Sequence, residues 1–188
     1  MIKVGISGTH GTGKTTLAFE LAHRLKRENP EKEVTVIYEV ARKQPFFGEI
    51  NEQTTERSQG WIFHRQIIEE MEAERFADII VCDRTVFDCL AYSQWAGFFD
   101  LVNSCLPEAL RWIKTYNFII YLEPHGVYHP IHDGFRSTDK EFQMEIDGIL
   151  RSFYRRFQIP LISYDEFLKR NFSGGDVHFK PLYLEVVR

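Results

Sequence analysis

Eight consecutive residues near the start of the chain, Gly8-Thr9-His10-Gly11-Thr12-Gly13-Lys14-Thr15, constrain its fold more than any other feature. They match the pattern G-x-x-x-x-G-K-S/T without a mismatch. An apolar run, Ile2-Lys3-Val4-Gly5-Ile6, precedes them, and helical periodicity over about 14–28 follows. A strand that runs through a glycine-rich turn into a helix makes a phosphate cradle. Gly8 and Gly13 permit backbone angles that a Cβ would oppose, so successive N–H groups can point into one concavity. The helix adds its positive N-terminal end. Lys14 is placed to meet the β- and γ-phosphates of a purine nucleoside triphosphate, and the Thr15 hydroxyl to ligate Mg²⁺. The predicted nucleotide contacts are Gly8, Thr9, His10, Gly11, Thr12, Gly13, Lys14, Thr15 and Thr16.

The rest of the chain continues the alternation. Short apolar or β-branched runs at 34–38, 79–82, 118–122 and 161–163 are separated by helical patterns at 54–76, 84–96, 104–114 and 139–157. Strands alternating with helices predict parallel β-α-β units, an α/β three-layer sandwich with helices on both faces of the sheet. Such sheets bind ligands at the carboxyl ends of their strands. Without an internal repeat or linker in its 188 residues, the chain reads as one domain over 1–188. Residues 124–138, rich in Pro, Gly and His, read as a loop, and residues 171–188 as a Gly-Gly turn with a late strand. His125, His129, His132 and Asp133 have metal-like spacing, but the interrupting Pro and Gly residues leave no fixed scaffold, and no metal site is expected there.

Charge and cysteine content exclude several classes. The formal charge is −4, from 23 Lys and Arg against 27 Asp and Glu, which argues against a general nucleic-acid or anionic-membrane binder. Cys82, Cys89 and Cys105 show no C-x-x-C spacing, so reduced thiols in a cytoplasm are expected. No apolar run approaches the ~20 residues of a membrane-spanning helix. The strand pattern that opens at Ile2 leaves no expected signal peptide.

The strand over 79–82 ends in Asp83-Arg84. A carboxylate at a buried strand's end can hold Mg²⁺ beside Thr15. Motor-type ATPases often follow this Asp with a Glu that polarises water; Arg84 suits transfer of the phosphoryl group to an acceptor instead. No N-K-x-D or T-K-x-D run is present, so the usual guanine reader of signalling GTPases is missing.

The cradle, the Asp-Arg pair and their spacing resemble the P-loop nucleoside and nucleotide kinases, among them thymidylate kinase-like proteins, deoxynucleoside kinases and the ribosylnicotinamide kinase-like ATPase domain. The resemblance covers most of residues 1–165. It implies a P-loop fold with a five-stranded parallel sheet flanked by helices, ATP·Mg²⁺ as donor, with GTP left open, and a small nucleoside, nucleotide or related acceptor bound across the strand ends. By this resemblance Glu39 addresses the acceptor hydroxyl, and Arg42 pairs with Glu39 or with the acceptor's charge. Arg84, Asp88 and Tyr92, four residues apart, make one stripe on the helix expected there and match the D-R-x-x-x-D-x-x-x-Y run of the ribosylnicotinamide kinase-like group, which puts Asp88 and Tyr92 at the substrate. Gln59, Phe63 and Gln66 form a base-reading face on the second helix. A lid-like segment over about 124–157 carries Arg136 toward the phosphates. Lys14, Glu39, Arg84 and Arg136 are then the expected catalytic residues, and Thr15 with Asp83 the metal ligands. Two other readings stay open: a nucleotide-hydrolysing switch acting through a protein partner, and a polynucleotide 5′-kinase, which the acidic balance disfavours. A homodimer also remains open.

Overall fold

The computed structural model describes residues 1–124 and 137–172. Four parallel strands form the sheet among them: β1 (Ile2–Ser7), β2 (Val34–Ile37), β3 (Ile79–Asp83) and β4 (Phe118–Tyr121), in the order β2-β3-β1-β4. The expected fifth strand is reduced to a single parallel bridge, in which Ile162 N–H donates to the Ile119 carbonyl (3.0 Å) and Tyr121 N–H to the Ile162 carbonyl (3.0 Å). Its neighbours explain the brevity. Pro160 has no N–H to give, and the Ser163 hydroxyl already accepts from Glu166 N–H (3.1 Å) at the start of the next helix.

Six helices accompany the sheet among the described residues: α1 (Lys14–Glu28), α2 (Glu56–Ala73), α3 (Val86–Trp95), α4 (Phe99–Trp112), α5 (Lys140–Arg156) and α6 (Tyr164–Phe172). α4 begins earlier than its periodicity predicts, because Gly97 in a left-handed conformation ends the preceding turn and Asp100 supplies an acid to the new first turn. α5 is capped by Asp139, whose carboxylate accepts from Glu141 and Phe142 N–H.

The sheet is apolar on both faces, as a parallel sheet flanked by helices must be. Val4, Ile6, Ile79, Val81 and Phe118 meet Leu17, Leu21 and Leu25 of α1 and Phe167 of α6 on one side. Ile80, Cys82 and Ile119 meet Phe63, Leu90, Ile146 and Leu150 on the other. All three cysteines are unbonded and buried. No helix among the described residues is long and apolar enough to cross a membrane.

A charged cluster interrupts the second core layer. Lys3, on β1, is fully buried and bonds Glu70 (3.1 Å), Glu74 (2.6 Å) and the Thr115 hydroxyl (3.0 Å), with its ammonium 4.5 Å from the Trp112 ring centre. Glu70 also accepts from Trp112, Tyr116 and Gln66. Every charge in this cluster has partners, the condition under which buried ions are tolerated.

Candidate active site

β1 delivers the chain into the cradle at Ser7. Gly8, Gly11 and Gly13 all have positive φ, at 144°, 74° and 86°. A Cβ on Gly8 would run into the Leu122 carbonyl oxygen, so close approach as well as conformation demands glycine. The Thr12 hydroxyl bridges back to the Thr9 carbonyl (2.9 Å), and the Lys14 ammonium donates to the same carbonyl (2.6 Å). Lys14 is buried. Burial, then the neighbouring Arg84, lower its pKa to about 8 against the pull of Asp83, Asp88 and Glu39. Thr16 sits exposed on the first turn of α1.

β3 pairs with β1 in a register that sets Asp83 opposite Ile6, next to the start of α1. The Thr15 hydroxyl donates to Asp83 Oδ2 at 2.7 Å, while Asp83 Oδ1 is buried with no hydrogen-bond partner among the described residues. Burial raises the Asp83 pKa, and Lys14 opposes the rise. An unsatisfied carboxylate oxygen beside a hydroxyl is a hard oxygen donor set that fits Mg²⁺.

Arg84 follows with φ of 97°, a conformation that costs energy in a non-glycine residue and that the Arg84 N–H···Ile6 carbonyl bond (3.0 Å) helps to hold. The turn places Arg84 before α3 begins, so Arg84, Asp88 and Tyr92 do not form the helical stripe that their spacing predicts. Arg84 instead reaches Glu39, just past β2, with Nη2 and Nε at 2.8 and 3.2 Å from Oε1. Arg42 Nε takes Oε2 at 2.9 Å. Burial works to raise the Glu39 pKa, but Arg84, Lys14 and Arg42 overcome it and hold the carboxyl at about 2. Arg84 also lies 5.1 Å from the Tyr92 ring centre, and its Nη1 is buried without a partner among the described residues.

Two neighbouring cavities meet at these residues. One, of about 340 Å³, is lined by cradle residues including His10, Gly13, Lys14 and Thr15. The other, of about 510 Å³, has an apolar part formed by Ala41, Ile50, Ile62, Cys89 and Tyr92, with Gln59 and Arg42 beside it. Glu39, Asn51 and Arg84 line both. A polar space therefore opens onto a less polar one across an acid, an amide and a guanidinium.

The remaining predicted residues divide. Gln59 and Tyr92 line the larger cavity; Phe63 packs in the core, and Gln66 bonds Glu70 (2.8 Å) within the Lys3 cluster. Asp88 lines the cavity, but both of its oxygens are already bonded, to Gly8 N–H, Thr85 N–H and the Thr85 hydroxyl. Arg136 and the three histidines of 125–132 lie outside the described residues, and among those described no cluster of three or more His, Cys, Asp or Glu could hold a metal.

Sequence reasoning missed Asn51, whose positive φ (52°) opens a single 3-10 turn too short to give a periodic signal. It also missed the side chain of His10. That ring is buried, stacks on Phe142 of α5 (5.0 Å) and places Nδ1 3.3 Å from the Tyr92 hydroxyl; the His10 carbonyl accepts from Gln143 (2.6 Å). Burial and the nearby Arg84 and Lys14 lower its pKa to about 4.

A family model described as an AAA domain matches residues 3–166. No curated protein matches the chain at a significant level. Among solved structures, a deoxyadenosine kinase from M. mycoides with dCMP and a flexible dCDP bound superposes with a TM-score of 0.60 at 15% identity, covering 87% of this chain and 88% of that one. The dATP-bound form of that kinase gives 0.61 at 16% identity, with 89% and 92% covered. The NadR protein in complex with NR gives 0.64 at 20% identity, covering 87% of this chain but 45% of the other. At these identities the likeness establishes the fold, a P-loop kinase-like α/β sheet flanked by helices.

Proposed function

This chain belongs to the AAA domain family, and from that premise we propose that it is an ATP-dependent phosphotransferase acting on a small nucleoside-like acceptor. The observation that carries the reading is the seam between the two cavities, where Glu39, Asn51 and Arg84 face both the phosphate cradle and the apolar pocket. Donor phosphates would be held by residues 8–16 and the Lys14 charge. Thr15 and Asp83 would hold Mg²⁺, which when bound neutralises charge on the β- and γ-oxygens. Bound molecules in the structural neighbours support the acceptor class: dCMP in one, NR in another.

Charge favours a hydroxyl acceptor over a phosphate one. Glu39 and Asp88 offset Arg42 and Arg84 around the larger cavity, and both guanidinium groups already bond Glu39. In the transfer, the acceptor oxygen bonds the γ-phosphorus while the bond to the β-phosphate oxygen breaks. With a pKa of about 2, Glu39 is too weak a base to remove the proton early. It accepts a hydrogen bond from the acceptor hydroxyl and orients it, and it takes the proton late, as the bond to phosphorus forms and the acceptor oxygen turns acidic, as a loose transition state permits. Arg84 presents Nη1, without a partner among the described residues, to the charge that moves. We take 1–188 as one such domain, and a reducing cytoplasm suits its three buried free thiols.

Glu39→Gln tests the assignment. Turnover at saturating acceptor should fall about 10²-fold, while MgATP affinity by calorimetry stays unchanged. Wild-type turnover in the variant would remove Glu39 from the reaction.

A further inference from the structure

We infer that Asp88 is a positioning residue for the phosphate cradle, and that its carboxylate fixes the peptide between Ser7 and Gly8 from which the cradle springs. This rests on the phosphotransferase reading above, but its principal measurement is donor affinity, which needs no acceptor.

That peptide is held at both ends. The Ser7 carbonyl accepts from Leu122 N–H at 2.9 Å, and Gly8 N–H donates to Asp88 Oδ1 at 3.1 Å. One bond comes from the end of β4 and the other from the first turn of α3, so the peptide plane is trapped between two separate elements. Asp88 is itself held. Its Oδ2 accepts from Thr85 N–H (2.9 Å) and from the Thr85 hydroxyl (2.8 Å), and Asp88 is fully buried. With its own proton given to Asp88, the Thr85 hydroxyl accepts from the Tyr154 hydroxyl (2.9 Å), which in turn can accept from the Ser7 hydroxyl (2.8 Å). Gly8–Asp88–Thr85–Tyr154–Ser7 is therefore a closed ring of buried hydrogen bonds joining β1, α3 and α5 around the root of the cradle.

A carboxylate is the group that the geometry demands. Both oxygens face backbone N–H donors, Gly8 N–H on one side and Thr85 N–H on the other. An amide can accept on only one side, so Asp88→Asn must set a donor against a donor at one of them. The same saturation argues that Asp88 does not read an acceptor, although it lines the acceptor cavity. Buried networks of this kind rigidify what they surround when every member is satisfied, and a cradle whose N–H groups are pre-aimed binds phosphate without reordering.

In the intact protein, Asp88→Asn should weaken MgATP binding by calorimetry about tenfold, the scale of one charged hydrogen bond, and lower kcat. The acceptor KM should stay unchanged. Tyr154→Phe, which breaks the ring without leaving a charge, should weaken MgATP about fivefold. The double variant should match Asp88→Asn alone, because the two substitutions break one ring. A raised acceptor KM with unchanged MgATP affinity would overturn the proposal in favour of acceptor reading. A lowered Tm with unchanged affinity and kcat would overturn it in favour of a helix cap alone. If Asp88→Asn does not fold, Tyr154→Phe decides: unchanged MgATP affinity in that variant refutes the ring.

Discussion

Lys14 carries its charge in a place that opposes it. The ammonium is buried, bonded to the Thr9 carbonyl, and its pKa is lowered to about 8 by burial and then by Arg84. Lys14→Ala should weaken MgATP binding roughly tenfold to a hundredfold while leaving the thermal transition in place, since the side chain serves the ligand. The lowered pKa has a sign that can be measured. Near pH 6.5 the free protein already holds the Lys14 proton, so binding takes up none there. At about pH 9 the amine is mostly neutral, and a polyanion that requires the charge must draw a proton in. Calorimetry in buffers of differing ionisation enthalpy should show proton uptake near pH 9, with affinity falling as pH rises through about 8. The cradle was legible residue by residue because each fixed type answers a backbone or charge requirement of its own. The Arg84–Glu39 pair was not: the two lie 45 positions apart, and only the register that sets β3 between β1 and β2 brings them together. Asp88 was legible as chemistry and misplaced as to partner. Its i,i+4 relation to Arg84 presumes a helix that begins two residues too early.

The elements themselves follow their sequence signals closely where one face is apolar. α1, α2, α3 and α5 fall within a few residues of their periodic patterns, because a three- or four-residue spacing of core side chains fixes where a helix can begin and end. The fifth strand shrank to a bridge because Pro160 and the cap of α6 left it only residues 161–163. Lys3 illustrates what an element pattern hides. A charged residue inside an apolar run, it is fully buried, and α2 and the turn after α4 supply its partners. Breaking such a pair from one side leaves an uncompensated charge. Glu70→Ala should therefore destabilise the fold by about 3–5 kcal/mol, read as a lowered denaturant midpoint. Lys3→Met with Glu70→Leu should recover much of that loss. A single variant as stable as the wild type would show that the cluster contributes nothing.

At the scale of the whole molecule, the sheet gathers at its carboxyl edge everything that the proposed chemistry needs: the cradle after β1, Glu39 after β2, and Asp83 and Arg84 at the end of β3. α/β sheets place ligands there, and for that reason the location of the site was readable before its contents were. The proposed acceptor pocket was less readable, because Ala41 and Asn51 come from single 3-10 turns, and Ile50 from the residue before one, too short to show periodicity. The most direct measurement follows the γ-phosphoryl group. ATP labelled in its γ-phosphate is incubated with the protein, Mg²⁺ and a panel of nucleosides and nucleoside monophosphates, and the products are separated. The account predicts label in a new phosphate ester of a nucleoside-like acceptor, formed in step with ADP and greatly diminished in Glu39→Gln. Label recovered only as inorganic phosphate, at a rate no acceptor changes, would contradict it.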